Sequence, residues 1–330
     1  MLKKIFSVAT CTAILVTGAN ALNIVLTNDD GYQTVLLNTL VNKLKENNHS
    51  VIVSTPCGHQ SGAAGSIRPY MTQIPVKKLQ YGESGILEIT EDDATYGTDD
   101  YVCVGDTDET KSFKDFKSGT PVMASLNGIS MGDAKWGRGN YIVLSGPNEG
   151  RNVGSMIFHS GTLGATHVSL HQNIVTIALS AATEDEDTTY AGFVADKTIK
   201  LLDTLLASQK DSEPLLPNKL GLNVNFPDEM SADTEFKLTN VNWSYGNMSL
   251  KFGSLNDASC YGAYYGYGEA DDSVKGLNYC GNDVTGDTNE LSEGNATENG
   301  YISVSTIDAT ENAPKAKSAH TAYRLNELFK

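Results

Sequence analysis

Hydrophobic residues from position 22 onward alternate between short continuous runs and helical spacing. Residues 22–27 form a short apolar run, and four apolar side chains then follow at i, i+3, i+4 and i+7, counted from Leu37. That spacing places the four side chains on one face of a helix. Residues 50–55 form a second run, rich in β-branched side chains. We therefore predict a strand, a helix and a parallel second strand, connected by a right-handed crossover.

The same alternation returns after residues 86–104, whose pattern indicates irregular or hairpin structure. Helices are expected to begin near Ser160 and around Val194, and strands are expected at residues 141–145, 174–180 and 220–226. Strands that alternate with helices are typical of a mostly parallel sheet covered by helices on both faces. The predicted fold class is therefore α/β, with the main domain spanning residues 22–245.

Residues 246–300 differ from the rest in composition, because Gly, Asn, Asp, Ser and Tyr dominate there. We predict a loop-rich C-terminal insertion, followed by a strand and a helix within residues 301–330 that complete the main domain. The Tyr-Gly tract at residues 261–268 either packs its rings locally in a hairpin or offers a stacking platform. Local packing is the favoured interpretation.

The first 21 residues have the pattern of an export signal. Lys3 and Lys4 precede an apolar stretch at residues 5–18, and Ala19-Asn20-Ala21 provides a small-x-small cleavage site. A membrane anchor is the alternative, but the apolar stretch is shorter than the roughly 20 residues that span a bilayer. We therefore predict a signal peptide at residues 1–21 and an exported protein, periplasmic or secreted, with no membrane segment after cleavage.

Cleavage of that signal would leave an even number of cysteines, which in an oxidising compartment indicates disulfides. The remaining cysteines are Cys57, Cys103, Cys260 and Cys280. Four cysteines allow three connectivities, and the lower cost of closing short loops favours Cys57 with Cys103 and Cys260 with Cys280. The chain has no Cys-x-x-Cys or Cys-x-x-His pair, which argues against a thiolate metal site.

The net charge restricts the partners of this protein. The chain carries a formal charge of −16, and loss of Lys3 and Lys4 with the signal would change it to −18. Such a surface repels nucleic-acid polymers. It also repels phosphate esters, so any phosphate chemistry requires a local cation or a helix N-terminus that reverses the field.

One short acidic motif follows the first predicted strand. It reads Thr27-Asn28-Asp29-Asp30-Gly31. Ligands of open α/β sheets bind at the carboxyl ends of the strands. Two adjacent carboxylates are costly unless a cation neutralises them, and hard divalent ions such as Mg²⁺ and Mn²⁺ prefer oxygen ligands. A simple turn with a helix cap is the alternative interpretation of this motif.

Three further polar segments follow later in the chain and are expected at the same edge of the sheet. They are Gln60-Ser61-Gly62-Ala63-Ala64-Gly65, Ser145-Gly146-Pro147-Asn148 with Asn152-Val153-Gly154, and Ser160-Gly161-Thr162. Taken singly, such segments are usually turns or helix caps. Together they would supply uncharged oxygen ligands and a helix N-terminus whose free N–H groups bind phosphate.

The order of these motifs resembles the SurE family, whose pattern contains Asn-Asp-Asp-Gly, Gln-Ser-Gly-Ala-Gly, Gly-Thr-Pro, Ser-Gly-x-Asn with Asn-x-Gly, and Ser-Gly-Thr. Gly119-Thr120-Pro121 supplies the third motif, and Asn223-Val224-Asn225 is a later match. The resemblance covers roughly residues 22–228. It implies a Rossmann-like fold, one divalent metal ion, and hydrolysis of phosphate monoesters, often nucleoside 5′- or 3′-monophosphates, as by a 5′/3′-nucleotidase or acid phosphatase.

The resemblance also implies roles for individual residues. The family's metal ligands correspond here to Asp29, Asp30, Ser61 and Asn148, with the two aspartates as the catalytic groups. The expected phosphate and substrate contacts are Asn28, Asn152, Ser160, Gly161 and Thr162. Attack by a water that Asp29 orients is the favoured mechanism, and direct attack by Asp29 is the alternative.

Two further side chains are candidates with open roles. His159, where family members commonly have a Tyr, is either a general acid or phosphate contact or a packed side chain. Arg151 either clamps phosphate or points into solvent. Ser155-Met156 replaces two acids common in the family, which leaves the leaving-group contacts unassigned. Family members often dimerise through a C-terminal hairpin, which the insertion would replace or block, so a homodimer is left open.

Two functions from other classes compete with this hypothesis. An exported protein that binds a nucleotide or a metal without turnover would use the same edge of the sheet, but binding alone does not require adjacent carboxylates aimed at a phosphate. A dinucleotide-dependent oxidoreductase would have Gly-x-Gly-x-x-Gly after the first strand, and that pattern is missing from the sequence.

Overall fold

The computed structural model of the protein describes most of the chain. The described residues are 21–67, 74–95, 98–107, 110, 118–181, 187–210, 213–242, 248–254, 275–281, 287–309 and 315–325. Most of the predicted signal peptide, the Tyr-Gly tract and the predicted pairing of Cys260 with Cys280 lie outside them.

A ten-stranded sheet forms the centre of the molecule. The described strands are β1 (Asn23–Thr27), β2 (Ser50–Pro56), β3 (Val76–Tyr81), β4 (Leu87–Glu91), β5 (Tyr101–Val104), β6 (Ile142–Glu149), β7 (Thr176–Ala181), β8 (Leu220–Asn225), β9 (Phe236–Thr239), β10 (Met248–Ser254), β11 (Lys275–Gly281) and β12 (Ile302–Asp308). The order in the sheet is β4-β3-β5-β2-β1-β6-β7-β8-β12-β9. Strands from β5 through β8 are parallel, whereas β3, β4 and β12 introduce antiparallel pairs. The prediction of a mostly parallel α/β sheet is confirmed.

Helices cover both faces of this sheet, as predicted. The described helices are α1 (Val35–Glu46), α2 (Pro121–Trp136), α3 (Gly161–His171), α4 (Thr188–Ser208), α5 (Glu293–Glu298) and α6 (Lys315–Arg324). Side chains alternate along β1, so that Ile24 and Leu26 pack with α1 and α4 on one face. Val25 packs with Ile129 of α2 on the other face. The apolar positions of α1 that predicted a helix, beginning with Leu37, are buried.

Helix α2 was not predicted from the hydrophobic pattern. The N-cap residue is Thr120, whose side chain accepts a hydrogen bond from Met123 N–H, and Pro121 occupies the first turn. Both features are common at the start of a helix. Several positions facing the sheet, among them Gly128 and Gly132, have no side chain, and a Cβ at Gly128 would lie 2.6 Å from Val25 Cγ1. Small residues at the buried positions remove the apolar periodicity by which a helix is recognised.

Residues 86–104, for which irregular or hairpin structure was expected, contain one strand of a hairpin and one strand of the central parallel sheet. The antiparallel hairpin β3–β4 begins before residue 86, and β5 joins the central sheet parallel to β2. Within the predicted insertion, the described strands β10 and β11 form a separate antiparallel pair. Helix α5, also within residues 246–300, packs against β12 and β9 of the main sheet. The predicted domain boundaries themselves stay predictions.

The disulfide between Cys57 and Cys103 is present, which confirms that pairing. It connects the residue after β2 to the neighbouring strand β5, and both cysteines are buried. Of the helices that the structure describes, none combines the length and the apolar character needed to cross a bilayer.

Candidate active site

The acidic motif lies at the carboxyl end of β1, where the parallel neighbours β2 and β6 also end. The Asn28 side chain closes the turn, because its Nδ2 donates to Gly31 O at 2.7 Å and its Oδ1 accepts from Gly31 N–H at 3.2 Å. Gly31 has a φ of +98°, which is strained for other residues. Asn28 therefore shapes the turn that presents the two aspartates.

Asp29 is almost completely buried, with 1% of its surface exposed. Its Oδ1 accepts a hydrogen bond from Thr162 Oγ1 at 2.8 Å, and the Thr162 main-chain N–H also bonds to this carboxylate. Burial, followed by the charge of Asp30, raises the pKa of Asp29, and these hydrogen bonds oppose the rise. The start of α3 therefore holds the Asp29 carboxylate in place.

Asp30 connects the loops after β2 and β6. Its Oδ1 accepts from Ser61 Oγ at 3.0 Å, and its Oδ2 accepts from Glu149 N–H at 2.9 Å. His59 Nδ1 lies 3.1 Å from Asp30 Oδ1. The hydrogen bond to Asp30, partly offset by burial, raises the pKa of His59. Asp30 is therefore a shared acceptor for groups from the loop after β2 and from the end of β6.

Asn148 presents an oxygen of the kind that a hard cation binds. Its Nδ2 donates to Gly150 O at 2.6 Å, while its Oδ1 is buried and lacks a hydrogen-bond partner in the described structure. Buried acceptors are normally satisfied, so an unsatisfied one in a cleft that Asp29 also lines fits a cation ligand. The described residues contain no group of three or more His, Cys, Asp or Glu side chains suited to a metal. A metal would therefore rely on two carboxylates and neutral oxygens.

A cleft of about 430 Å³ opens at this edge of the sheet. Of the predicted site residues, those that line it are Asp29, Ser61, Asn148, Arg151, Asn152, His159 and Ser160. Asp30 lines an adjoining cavity of about 350 Å³ together with His59 and Glu149. The structure thus brings most of the predicted residues together, whereas Asn28, Gly161 and Thr162 line neither space.

The start of α3 packs directly against Asp29. Ser160 caps the helix, because its Oγ accepts from Leu163 N–H at 3.1 Å. A Cβ at Gly161 would lie 2.7 Å from Asp29 Cβ and 2.7 Å from Pro121 Cγ, so only glycine fits between them. Since the Thr162 hydroxyl and N–H are occupied by Asp29, the phosphate contact assigned to Thr162 stays a prediction.

The loop after β6 supplies the opposite side of the cleft. Asn152 Nδ2 donates to Ser180 Oγ at 2.9 Å and to Thr162 Oγ1 at 3.3 Å. Arg151 forms a loose ion pair with Asp228, with an Nη2–Oδ1 separation of 3.5 Å, and its buried Nη1 has no partner among the residues described. His159 is exposed at the cleft. Arg151 therefore carries the donor nearest in type to what a phosphate needs, whereas both Nδ2 hydrogens of Asn152 are used within the protein, and the phosphate contact assigned to Asn152 stays a prediction.

The structure adds residues that were not predicted as site residues. His59 and Glu149 contact Asp30, while Asn225 Oδ1 accepts from Asn152 N–H at 2.7 Å. Asn223 and Asn225 are two residues apart on β8 and therefore lie on the same face of the strand. Such a pair of polar side chains is a signal by which the sequence could have indicated both residues. Glu293 lies behind the loop after β6, and its position among Gly, Asn and Ser residues offered no local signal.

The fold and the site together define this class of protein as an α/β protein with buried carboxylates at the carboxyl ends of its parallel strands. The sequence model of the family described as "Survival protein SurE" matches residues 24–247, over most of the chain. The chain therefore belongs to the SurE family, and the family prediction is confirmed.

Individual relatives agree with this membership. An acid phosphatase of Yarrowia lipolytica is 28% identical over 220 residues, which cover 62% of this chain and 56% of that phosphatase. A 5′-nucleotidase SurE of Haemophilus ducreyi is 29% identical over 219 residues, covering 63% of this chain and 68% of that protein. The crystal structure of the SurE protein from Aquifex aeolicus matches with a TM-score of 0.63 at 21% identity, covering 92% of this chain and 99% of the other. The structural match confirms the fold.

Proposed function

We propose that this protein is a metal-dependent phosphoric monoester hydrolase, and that nucleoside 5′- or 3′-monophosphates are its favoured substrate class. The observation that carries the proposal is the buried pair Asp29 and Asp30, together with Asn148 Oδ1, which lies at the same cleft as Asp29 and has no hydrogen-bond partner among the described residues. The names of the relatives, an acid phosphatase and a 5′-nucleotidase, support the same reaction class.

The residues present fit one divalent ion. Asp29, Asp30, Ser61 and Asn148 would hold it, and their oxygen atoms favour Mg²⁺ or Mn²⁺. When bound, such an ion supplies Lewis-acid polarisation of the phosphate and neutralises the carboxylates. The overall charge of −16 makes this local reversal of the field necessary for binding an anionic ester.

The chain's own side chains then bind and orient the substrate. Thr162 holds the Asp29 carboxylate toward the cleft, where that carboxylate orients the attacking water. The Ser160 hydroxyl offers a donor to the phosphate oxygens, and the buried Arg151 Nη1 offers a cationic one. Attack by Asp29 itself, which would give an aspartyl-phosphate, is the second mechanism on the same geometry.

Asp29→Asn tests the proposal. Turnover of a phosphomonoester panel should fall by at least about 100-fold in this variant, and a chelator should abolish wild-type turnover until Mg²⁺ or Mn²⁺ is restored. Because the amide oxygen of Asn can accept the bond from Thr162, the unfolding temperature should change little. Asp93→Asn removes an exposed acid and is the matched control. Full activity in Asp29→Asn, or indifference to chelator, would contradict the proposal.

An exported binding protein without turnover is the second candidate, supported by the same cleft. It would bind inorganic phosphate or Mn²⁺ in calorimetry yet release no product from any ester in the panel. The predicted signal peptide at residues 1–21 supports export, to the periplasm or outside the cell. Sequencing the N-terminus of protein recovered from the medium or periplasm tests that proposal, with Leu22 expected as the first residue.

A further inference from the structure

One buried acid near the cleft has no part in the proposed reaction. Glu293, the first residue of α5, is 0% exposed. Its Oε1 accepts from Gly154 N–H at 2.6 Å. Its Oε2 accepts from Asn223 Nδ2 at 3.2 Å and from Ser305 Oγ at 3.0 Å. The carboxylate therefore joins α5, β8 and β12 to the loop after β6.

This arrangement is costly for a purely structural contact. Each group that hydrogen-bonds to Glu293 in the described structure is uncharged, so the carboxylate is desolvated without a cation. Burial raises the pKa of Glu293 to about 7, and its three hydrogen bonds oppose the rise. A well-packed apolar residue commonly stabilises such a position at least as well. We therefore attribute the presence of an acid at this position to its hydrogen bonds with the loop after β6.

Asn223, which bonds to Glu293, and Asn225 on the same strand hold the inner side of that loop. Asn223 Nδ2 also donates to Asn152 O at 2.9 Å, and Asn152 N–H donates to Asn225 Oδ1 at 2.7 Å. Together with Gly154 N–H, three main-chain groups of residues 152–154 are fastened from behind. Their attachment keeps the part of the loop that carries Arg151 and Asn152 at the cleft.

We propose that Glu293 is a positioning residue, which acts through Gly154 and Asn223 to hold the loop of residues 151–154 against the bound phosphate group. The inference rests on the proposed function for the identity of the ligand. In that function the loop lines the phosphate site in the ground state as well as in the transition state, so loosening the loop weakens binding more than it slows chemistry. Glu293 itself does not touch the substrate.

Glu293→Gln keeps the size of the side chain and an oxygen that accepts from Gly154 N–H. Its amide NH₂ group, however, faces Asn223 Nδ2, so that two donors meet where a donor met an acceptor. KM for a phosphomonoester should rise about 5- to 10-fold with kcat within about twofold. The inhibition constant of inorganic phosphate should rise by the same factor. Glu298→Gln, the same change at the exposed end of α5, should alter neither constant.

Ser305→Ala separates positioning from stability. It removes a Glu293 contact on the side away from the cleft and should lower the unfolding temperature without raising KM. Asn223→Ala should raise KM as Glu293→Gln does, and it serves as the measured variant if Glu293→Gln does not fold. An unchanged KM in the folded variants at position 293 or 223, or an equal rise in Ser305→Ala, would overturn the proposal.

Failure of the proposed function gives a different result. If the wild-type protein hydrolyses no ester, the dissociation constant of inorganic phosphate, measured by calorimetry, replaces KM in every comparison. Weaker phosphate binding in Glu293→Gln alongside unchanged binding in Ser305→Ala then supports the positioning role without turnover. Identical phosphate binding in the wild type and Glu293→Gln rejects it.

Discussion

Three carboxylates are buried at or directly behind the cleft of this strongly acidic protein. Asp29 and Asp30 face the cleft region, and Glu293 lies behind its loop. The hydrogen bonds that hold Asp29 and Glu293 come from hydroxyl, amide and main-chain groups. Burying carboxylates in this way destabilises the fold unless a ligand or a network needs them. Because desolvation of these three carboxylates is costly, we assign them to function.

The raised pKa of Glu293 predicts a pH dependence of stability. The pKa rises from an ordinary 4.5 to about 7, so over that interval the folded protein retains a proton that the unfolded chain releases. The free energy of unfolding contributed by this group therefore falls as pH increases, by up to about 3 kcal/mol. Glu293→Gln lacks this pH-dependent contribution, because a glutamine side chain does not ionise.

Urea unfolding of wild type and Glu293→Gln at pH 4.5 and pH 7.5 measures the effect. The wild type should lose stability relative to the variant between the two values, and Glu298→Gln should follow the wild type. Parallel changes in wild type and Glu293→Gln would show that Glu293 ionises normally in the folded protein.

At the scale of elements, α2 shows how small residues bring a helix close to a sheet. Gly128 faces Val25 and Ser54, and Gly132 faces Val25 and Tyr141. This close approach places the N-terminal end of α2, with Pro121, against Gly161 and hence against the start of α3. The packing of α2 therefore contributes to the position of the segment that holds Asp29.

Two glycine-to-alanine variants test this packing. Gly128→Ala should lower the free energy of unfolding by roughly 1 to 3 kcal/mol, because its Cβ would meet Val25 Cγ1 at 2.6 Å. Gly192→Ala, in α4 with open space around it, should instead stabilise by roughly 0.5 to 1 kcal/mol. Chemical denaturation of both variants checks the prediction, and stabilisation by Gly128→Ala would mean that α2 does not approach the sheet so closely.

At the scale of the whole molecule, the central sheet gathers segments that are far apart in sequence. The site takes residues from the ends of β1, β2 and β6, and its support from β8, α5 and β12. The disulfide between Cys57 and Cys103 closes a loop of 46 residues next to the segment that carries His59 and Ser61. It therefore restricts the unfolded chain over the segment that forms β3, β4 and most of β5.

Removal of that disulfide should destabilise the protein substantially. In the chain-entropy model, a loop of this length corresponds to about 4 kcal/mol, so Cys57→Ala with Cys103→Ala should unfold at lower denaturant concentration. Reducing both proteins beforehand is the control, since it removes the constraint from the wild type too and should abolish most of the difference. A difference that persists after reduction would reflect packing rather than the cross-link.

The sequence by itself determined the features that depend on local patterns. Alternating strand and helix periodicities established the α/β class, the order of short motifs established the family, and the acidic motif was correctly located at the end of β1. Short loop closure also favoured the observed pairing of Cys57 with Cys103. Each of these signals is contained within a few residues or in their order along the chain.

Only the tertiary structure decided which partners meet in the interior. The Thr162 hydroxyl bonds to Asp29 rather than standing free at the helix start, although the two are 133 residues apart. Glu293 meets Gly154 across 139 residues, and α2 packs through glycines that carry no hydrophobic period. The physical reason is that both features depend on atoms that only folding brings together. Whether a buried polar group finds a hydrogen-bond partner, or whether a helix position must be glycine, is not encoded in local spacing.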